Sequence, residues 1–419
     1  MGMLPDLSSL YYPMPSTLTW LDHSESDRKR VLEAIDRFKE TDTRDELGLG
    51  AIRDGFADVF FPGTSTIQTR ARYFLFVPWV YASLARKRVD SATIALRARK
   101  EETRVRDALV QSDDNEGTIG ALVGAALKRL PSNVYWSGLG VWHIRLFPGS
   151  QDDFHRYFDR LDESEGARDD DGDLVNGARR RPWHAHLPNP PADFPVSASF
   201  RLTYEEAHYL AERICFSAPR SLLAFLVQRA RTLDAPYPWA HPQLGEFPQA
   251  VQHALGQARL LAEGMHGAAL LYNLMLAEEF PVADSRDRLV EGYRLELTDW
   301  CDELASRRDA FEAWDLNAFW TYVKQICRVT SATERFVNSW LSLRPWDSAE
   351  RAIHLASARA LIRDRERQLK RSRARLGNAR ALELWGGESG TARLQYRWPP
   401  AQRLLRDILE GLRGDNARA

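Results

Sequence analysis

Apolar residues recur along the chain at the three- and four-residue spacing of amphipathic helices. Thr203 and Glu206 have the spacing of a capping box just before one such stripe, and Ser24 with Asp27 precedes another. Alternating runs of β-branched residues are scarce, so the pattern predicts a mainly α, multi-helical fold. The four clearest stripes are Val31, Leu32, Ile35 and Phe38; Ala207, Leu210, Ala211 and Ile214; Leu289, Tyr293, Leu297, Trp300 and Leu304; and Trp314, Phe319, Tyr322, Val323 and Ile326.

An acidic and proline-rich stretch interrupts this helical pattern. Residues 161–173 contain seven acidic residues, and residues 182–195 contain five prolines. Such a stretch cannot pack as a helix, so we expect an exposed linker or long loop over 161–197. It would join an N-terminal helical domain at 1–160 to a C-terminal helical domain at 198–419.

Composition limits the classes of partner. The chain has 57 Lys+Arg and 58 Asp+Glu residues, a net charge of −1, so no whole-molecule field draws it to nucleic acid or membrane. Any such role must depend on a local patch. No apolar run is long enough to span a bilayer and the first residues lack a signal-peptide pattern, which predicts a soluble cytoplasmic protein without a membrane partner.

Several catalytic and cofactor motifs are absent from the sequence. It contains no Gly-rich phosphate or dinucleotide loop, no HExxH motif and no GxSxG elbow, so no cofactor is predicted. The three cysteines are too widely spaced for a zinc site, and His184 with His186 lacks a third ligand. We therefore predict no metal either.

His266 lies in the apolar segment 265–279, between Gly264 and Gly267. Small residues on both sides favour close packing against another helix, so we interpret His266 as a buried core residue. Tyr272 and Asn273 are its expected polar partners in that core.

The densest charged and aromatic segment covers residues 44–81. A glycine followed by hydroxyl residues can present N–H and O–H donors to an anion, which is the pattern after Pro62-Gly63. Two hypotheses stay open here: a phosphate clamp with Asp45, Asp54 or Asp58 as acids or metal ligands, or a helix cap with internal ion pairs. The candidate phosphate-binding residues are Thr64, Ser65, Thr66, Arg70 and Arg72.

Residues 117–147 have the outline of a helix-turn-helix or winged-helix element. A helix from Ile119 to Leu130 is predicted to end at Pro131, and a second short helix would place Tyr135, Trp136 and Ser137 towards a DNA groove. A purely structural helix pair is the alternative. The nucleic-acid candidates in this segment are Lys128, Arg129, Asn133 and Arg145.

A strong local positive charge occurs in the C-terminal third of the chain. Residues 359–380 contain nine basic and two acidic residues, a net charge of +7. A helix this rich in Arg favours binding to a phosphate backbone, although a solvated face or a surface that docks on an acidic partner has the same composition. The nucleic-acid candidates here are Arg363, Arg367, Lys370, Arg371, Arg373 and Arg375.

Four motifs resemble a bacterial family of unknown function: DELGLGAIRDGFADVFFPGTSTIQTRARYFLFVPW, LPSNVYWSGLGVW, MHGAALLYNLMLAEE and LELWGGESGTARLQYRW. The resemblance spans nearly the whole chain, and the first motif is the specific one. It implies proximity to helicase and phospholipase-D-type nuclease genes in phage-defence regions. It implies no catalytic residue that could be transferred to this sequence.

Together these observations favour a non-enzymatic accessory protein of a bacterial antiviral-defence or DNA-processing system. It would bind nucleic acid, with DNA the expected form, through its Arg-rich segments, and a helicase or nuclease is the expected protein partner. One alternative is an enzyme that acts on a phosphate-containing substrate through residues 44–72. Another is a scaffold that docks on a partner subunit through the Arg-rich helix.

Overall fold

The computed structural model describes residues 45–121, 127, 129–161 and 181–414. Within these residues the chain forms sixteen α-helices, and the β-bridge found there joins Arg145 to Trp183. The mainly α, multi-helical fold predicted from the apolar spacing is confirmed. The stripe from Val31 to Phe38 and the acidic residues 162–173 lie outside the described residues.

The α-helices are α1 (Gly50–Phe60), α2 (Tyr73–Arg86), α3 (Ile94–Val110), α4 (Pro131–Val141), α5 (Gln151–Arg156), α6 (Tyr204–Ser217), α7 (Leu222–Arg229), α8 (Gln249–Glu278), α9 (Ala283–Ala305), α10 (Arg308–Glu312), α11 (Leu316–Ile326), α12 (Ser331–Leu343), α13 (Ala349–His354), α14 (Ala356–Lys370), α15 (Ala379–Leu382) and α16 (Trp398–Gly414). Short 3₁₀ helices cover Phe158–Arg160, Pro238–Ala240, Leu244–Glu246, Pro345–Asp347 and Arg371–Arg373. None of the described helices combines the length and the hydrophobicity that crossing a bilayer requires.

The described residues from Leu47 to Gly414 form one compact unit. Buried apolar side chains from α1 through α16 share a single core, and the rings of Phe56 and Tyr396 lie 5.5 Å apart within it. The division into an N-terminal helical domain at 1–160 and a C-terminal helical domain at 198–419 stays a prediction.

The proline-rich residues 181–197 form a loop, which is one of the two forms expected for 161–197, and parts of this loop pack on the core. Trp183 is buried, and the backbone N–H of His184 donates to the carbonyl of Ile144 at 2.8 Å. The indole Nε1 of Trp79 donates to the carbonyl of Pro188 at 2.6 Å. Proline prevents a helix here, but these bonds and the buried tryptophan hold the loop against α2 and the end of α4.

The central helix is α8, which packs on α9, α12 and α14. Its residues from Leu270 to Ala277 are buried all round, as expected for a helix inside a core. A Cβ atom at Gly267 would lie 2.3 Å from the ring of Trp300 in α9, so only glycine permits this approach. The close helix packing predicted beside His266 is confirmed.

The capping-box sequence predicted the start of α6 correctly. Thr203 is the N-cap, its Oγ1 accepts from the N–H of Glu206 at 3.2 Å, and Glu206 Oε2 accepts from the N–H of Thr203 at 3.1 Å. Each bond satisfies an N–H group that the helix itself leaves unpaired. The stripes that predicted α9 and α11 also coincide with helices.

Candidate functional site

The Arg-rich segment forms α14 and the turn that follows it, but several of its cations bind the protein itself. Arg365 is buried, with Nε donating to the carbonyl of Leu47 at 2.9 Å and Nη2 to Thr333 Oγ1 at 2.9 Å. Its guanidinium carbon lies 5.0 Å from the ring centre of Phe336. Arg359 pairs with Glu278 at the start of the segment. These two arginines hold α14 in place.

Glu366 organises the turn after α14. Its carboxylate is fully buried and accepts hydrogen bonds from the Tyr272 hydroxyl at 2.6 Å and from the backbone N–H groups of Arg375 and Leu376 at 2.9 and 3.0 Å. Lys370 Nζ lies 3.0 Å from the same hydroxyl. Lys370 and the backbone of Arg375 belong to this internal network. These two nucleic-acid candidates therefore stabilise the turn after α14. Burial raises the pKa of Tyr272, so its hydroxyl stays a donor.

The remaining arginines of the segment face solvent. Arg367, Arg371, Arg373 and Arg380 are exposed and Arg363 is half-buried. The amide of Asn378 lies 3.4 Å from the carbonyl of Ser372, which brings the start of α15, the helix that carries Arg380, beside the 3₁₀ helix that follows α14. We call these five residues the arginine surface: Arg363, Arg367, Arg371, Arg373 and Arg380.

The helix-turn-helix outline is not formed by the described residues. Residues 119–121, 127, 129 and 130 are not helical, so the first helix predicted there is wrong at these positions. The second predicted helix exists as α4, but Tyr135 and Trp136 are buried in the core and do not face solvent. The helix starts at Pro131, one residue after its N-cap Leu130, because proline suits the first helical position.

Two other candidates from that segment, Arg145 and Asn133, have local structural roles. The guanidinium of Arg145 stacks 4.7 Å from the ring centre of Trp136 and donates to its carbonyl, and burial lowers the pKa of Arg145. Asn133 Oδ1 accepts from the N–H of Leu130 at 3.1 Å. Arg129 is half-buried. Lys128 lies outside the described residues.

Arg70 joins three parts of the chain. Its Nε lies 3.0 Å from both carboxylate oxygens of Asp407 in α16, and its Nη1 and Nη2 contact Asp114 at 2.7 and 3.0 Å. Burial would lower its pKa, but the bonds to the two carboxylates outweigh this effect and raise it. Little donor capacity is left for an external phosphate.

Arg72 also has an internal partner. Its Nη2 donates to Glu206 at 2.7 Å and its Nη1 donates to the carbonyl of Ser199 at 2.9 Å. Both partners of this ion pair are buried, Arg72 at 6% and Glu206 at 3% exposure. Thr64 Oγ1 donates to the carbonyl of Phe61 at 2.6 Å, while Thr66 is exposed. Of the two hypotheses for this segment, these bonds favour internal ion pairs.

A cleft of about 470 Å³ lies between the turn after α1, helix α4 and the residue before α16. We call it the α4 cleft. One acidic residue, Asp58, and one basic residue, Arg397, line it. The lining also includes the hydroxyl residues Thr64, Ser65 and Ser137 and the apolar residues Pro62, Val134 and Val141.

Two glycines make the walls of the α4 cleft possible. Gly63 has a φ of +82°, and a Cβ atom there would lie 2.4 Å from Trp142 Nε1. A Cβ atom at Gly138 would lie 2.3 Å from the carbonyl oxygen of Gly63. Helix α4 and the turn can therefore touch only because both residues lack a side chain.

Arg397 enters the cleft from a strained segment. Tyr396 and Arg397 have φ values of 51° and 63°, the left-handed region that non-glycine residues rarely adopt. Arg397 Nη1 donates to Asp58 and, at 2.9 Å, to the carbonyl of Thr64. Sequence reasoning missed Arg397 because the neighbouring residues in the sequence predict neither its backbone conformation nor its partners, which are distant along the chain.

Residues 15–411 match a model described as a family of unknown function, DUF6361. The chain belongs to the DUF6361 family. No curated protein and no solved structure matches it. The resemblance expected from the four sequence motifs is therefore confirmed at the level of an uncharacterised family.

This DUF6361 member carries a second cationic surface that sequence reasoning overlooked. Lys87 Nζ and Arg104 Nη1 converge on Glu101 at 3.4 and 3.3 Å, which places the end of α2 beside α3. The positive charge of this surface is visible in the amino-acid sequence, since residues 86–106 contain eight basic and three acidic residues. The exposed cations of this α3 surface are Arg86, Lys87, Arg88, Arg97, Arg99, Lys100 and Arg104.

The histidines of this family member show no ligand geometry in the part of the chain that is described. No group of three or more His, Cys, Asp or Glu residues there could hold a metal ion. His266 is largely buried, its Nε2 lies 3.1 Å from the carbonyl of Thr391, and burial together with nearby Arg393 lowers its pKa to about 4. It is a neutral core residue, but Tyr272 and Asn273 are not its partners: Tyr272 binds Glu366 and Asn273 binds Ser389.

Proposed function

We propose that this DUF6361 member is a non-enzymatic accessory protein that binds nucleic acid through the arginine surface. One observation carries the proposal: within the described residues, Arg363, Arg367, Arg371 and Arg380 have no ion-pair partner, and three of them are exposed. Arg359, Arg365, Lys370 and the backbone of Arg375 bind the protein, whereas these four arginines are available to an external anion.

The chemistry of arginine supports a phosphate backbone as that anion. A guanidinium offers parallel N–H donors that match two phosphate oxygens. When several exposed guanidinium groups bind a nucleic acid, the counterions condensed on its phosphates are released, which favours binding. Arg363 and Arg367 stand one helical turn apart on α14, and Arg371 begins the following turn. Because residues four apart lie on the same face of a helix, Arg363 and Arg367 can contact the same nucleic-acid strand.

Binding of the full chain to labelled double-stranded DNA, single-stranded DNA and RNA tests the proposal by fluorescence anisotropy. With four to five phosphate contacts, we expect affinity to fall roughly 10²–10³-fold between about 50 and 200 mM salt. The variant R367E/R371E/R380E should lose binding at the lower salt concentration, because it replaces contacts with repulsion.

A matched variant controls for total charge. R403E/R406E/R413E reverses three exposed arginines on α16, a helix that packs on α6 and α7, and should retain binding. Equal loss in both variants, or unchanged affinity in the first, contradicts the proposal. In the second case the α3 surface becomes the next candidate for the contact.

The wider role rests on the resemblance of the four sequence motifs alone. This resemblance supports a role in a bacterial antiviral-defence or DNA-processing system. A helicase or a phospholipase-D-type nuclease would be the protein partner and would catalyse the reaction. A scaffold role predicts two different results. The wild-type protein would not bind nucleic acid, and R367E/R371E/R380E would lose the protein partner in a pull-down.

A further inference from the structure

The ion pair between Asp58 and Arg397 in the α4 cleft leaves both partners with unused bonding capacity. Nη1 of Arg397 binds Asp58 and the Thr64 carbonyl, but Nε makes no hydrogen bond within the described residues, and Nη2 has only a 3.5 Å contact with Asp54. The side chain of Asp58 is 65% exposed and only its Oδ1 accepts a bond from a described residue. A cationic and an anionic side chain, neither with all its bonding capacity used, therefore line the same cleft.

The charges around Arg397 balance to zero. Arg53 Nε lies 3.1 Å from Asp54, and Arg397 lies between Asp54 and Asp58. A phosphate dianion bound to Arg397 would meet two carboxylates, so the site does not suit a highly charged anion. A ligand that carries one negative and one positive group matches both halves of the pair.

Backbone strain indicates that the position of Arg397 matters. Two consecutive non-glycine residues in the left-handed region cost free energy, which the surrounding fold must outweigh. The strained turn delivers Arg397 to the cleft between α1 and the Thr64 carbonyl.

The rest of the cleft is suited to a small aliphatic group. Pro62, Val134 and Val141 contribute apolar surface, and Ser137 is an exposed hydroxyl residue on α4. The volume of about 470 Å³ accommodates one amino acid with ordered water.

We infer that the α4 cleft binds a small zwitterion with an aliphatic side chain, an α-amino acid of the leucine type. The carboxylate binds the guanidinium of Arg397, the ammonium group donates to Asp58, and the side chain packs on Val134 and Val141. This site is separate from the arginine surface and does not depend on nucleic-acid binding.

Calorimetric titration of the full chain with leucine and its truncated analogues tests the inference. Leucine should bind, whereas isopentylamine, which lacks the carboxylate, and isocaproate, which lacks the amine, should each bind at least about tenfold more weakly. Inorganic phosphate should not displace leucine. No heat with millimolar leucine, equal binding by either analogue, or binding of phosphate alone overturns the inference.

Two variants connect binding to the ion pair. Arg397→Gln and Asp58→Asn should each lose leucine binding, while Lys324→Gln, which breaks the exposed Lys324–Glu334 pair, should keep it. Melting temperatures are recorded for each variant with and without leucine, because ligand binding to the folded state raises the melting temperature. If Arg397→Gln fails to fold, Asp58→Asn decides, since the exposed Asp58 side chain contributes little packing; unchanged binding in Asp58→Asn overturns the inference.

Discussion

At the scale of single residues, the fold depends on charged groups held inside the protein. Glu102 in α3 is fully buried, and its two carboxylate oxygens accept from the N–H and the hydroxyl of Ser132, each at 2.8 Å. Burial raises the pKa of Glu102 to about 7, from 4.5 in an unfolded chain, and the bonds from Ser132 only partly oppose this. The folded state therefore prefers the protonated carboxyl.

This preference makes stability depend on pH. Because the pKa is raised on folding, the stabilisation from Glu102 is fully present below about pH 4.5 and is lost as the pH rises through about 7. Glu102→Gln cannot ionise, so its free energy of unfolding relative to wild type should rise by roughly 2–3 kcal/mol between pH 5 and pH 8. Urea unfolding at both pH values measures this. The exposed carboxylate variant Glu410→Gln is the control, and identical pH profiles for Glu102→Gln and wild type would show that Glu102 does not titrate with folding.

The pair Arg72–Glu206 is the second residue-scale test. Arg72→Met leaves Glu206 buried without its cation, which should lower the free energy of unfolding by about 3–5 kcal/mol. The double variant Arg72→Met/Glu206→Gln should recover part of this loss, because no unpaired charge remains buried. A loss below about 1 kcal/mol, together with phosphate stabilisation of wild type but not of Arg72→Met, would instead support the phosphate clamp.

At the scale of helices, the sequence predicts most where the signal is local. The Thr203–Glu206 capping box and the apolar stripes of α9 and α11 depend on residues three or four apart. The amino-acid sequence was therefore sufficient to predict these three helices. The segment before α4 was predicted as a helix from composition alone. The described residues 119–121, 127, 129 and 130 are not helical, and at Ile119 a tertiary bond is present: its N–H donates to the Tyr73 hydroxyl at 3.0 Å.

The approach of α4 to the turn after α1 makes a prediction at this scale. Gly138→Ala would place a methyl group 2.3 Å from a backbone oxygen, so we expect destabilisation of about 1–3 kcal/mol despite alanine's better helix propensity. Gly256→Ala in α8 is the matched control, because nothing lies within 4 Å of its added Cβ atom, and it should gain roughly 0.5–1 kcal/mol. Thermal unfolding of both variants measures the difference; a stabilising Gly138→Ala would mean that α4 and the turn are not in contact.

At the scale of the whole molecule, long-range pairing decides which charges remain available. Arg70 binds Asp407, 337 positions away, and Arg365 binds the carbonyl of Leu47, 318 positions away. Counting charges along the letters located the Arg-rich segment but could not tell which arginines the fold would use internally. The same limit hid Arg397, whereas the α3 surface could have been found by counting.

The most direct test of nucleic-acid binding is the dependence of the dissociation constant on salt. The variant R367Q/R371Q/R380Q removes three charges from the arginine surface without adding negative charge. If each arginine contacts one phosphate of double-stranded DNA, the slope of log affinity against log salt should become shallower by about 3 relative to wild type. The same slope in both proteins would contradict the account, because the phosphate contacts would then lie outside the arginine surface.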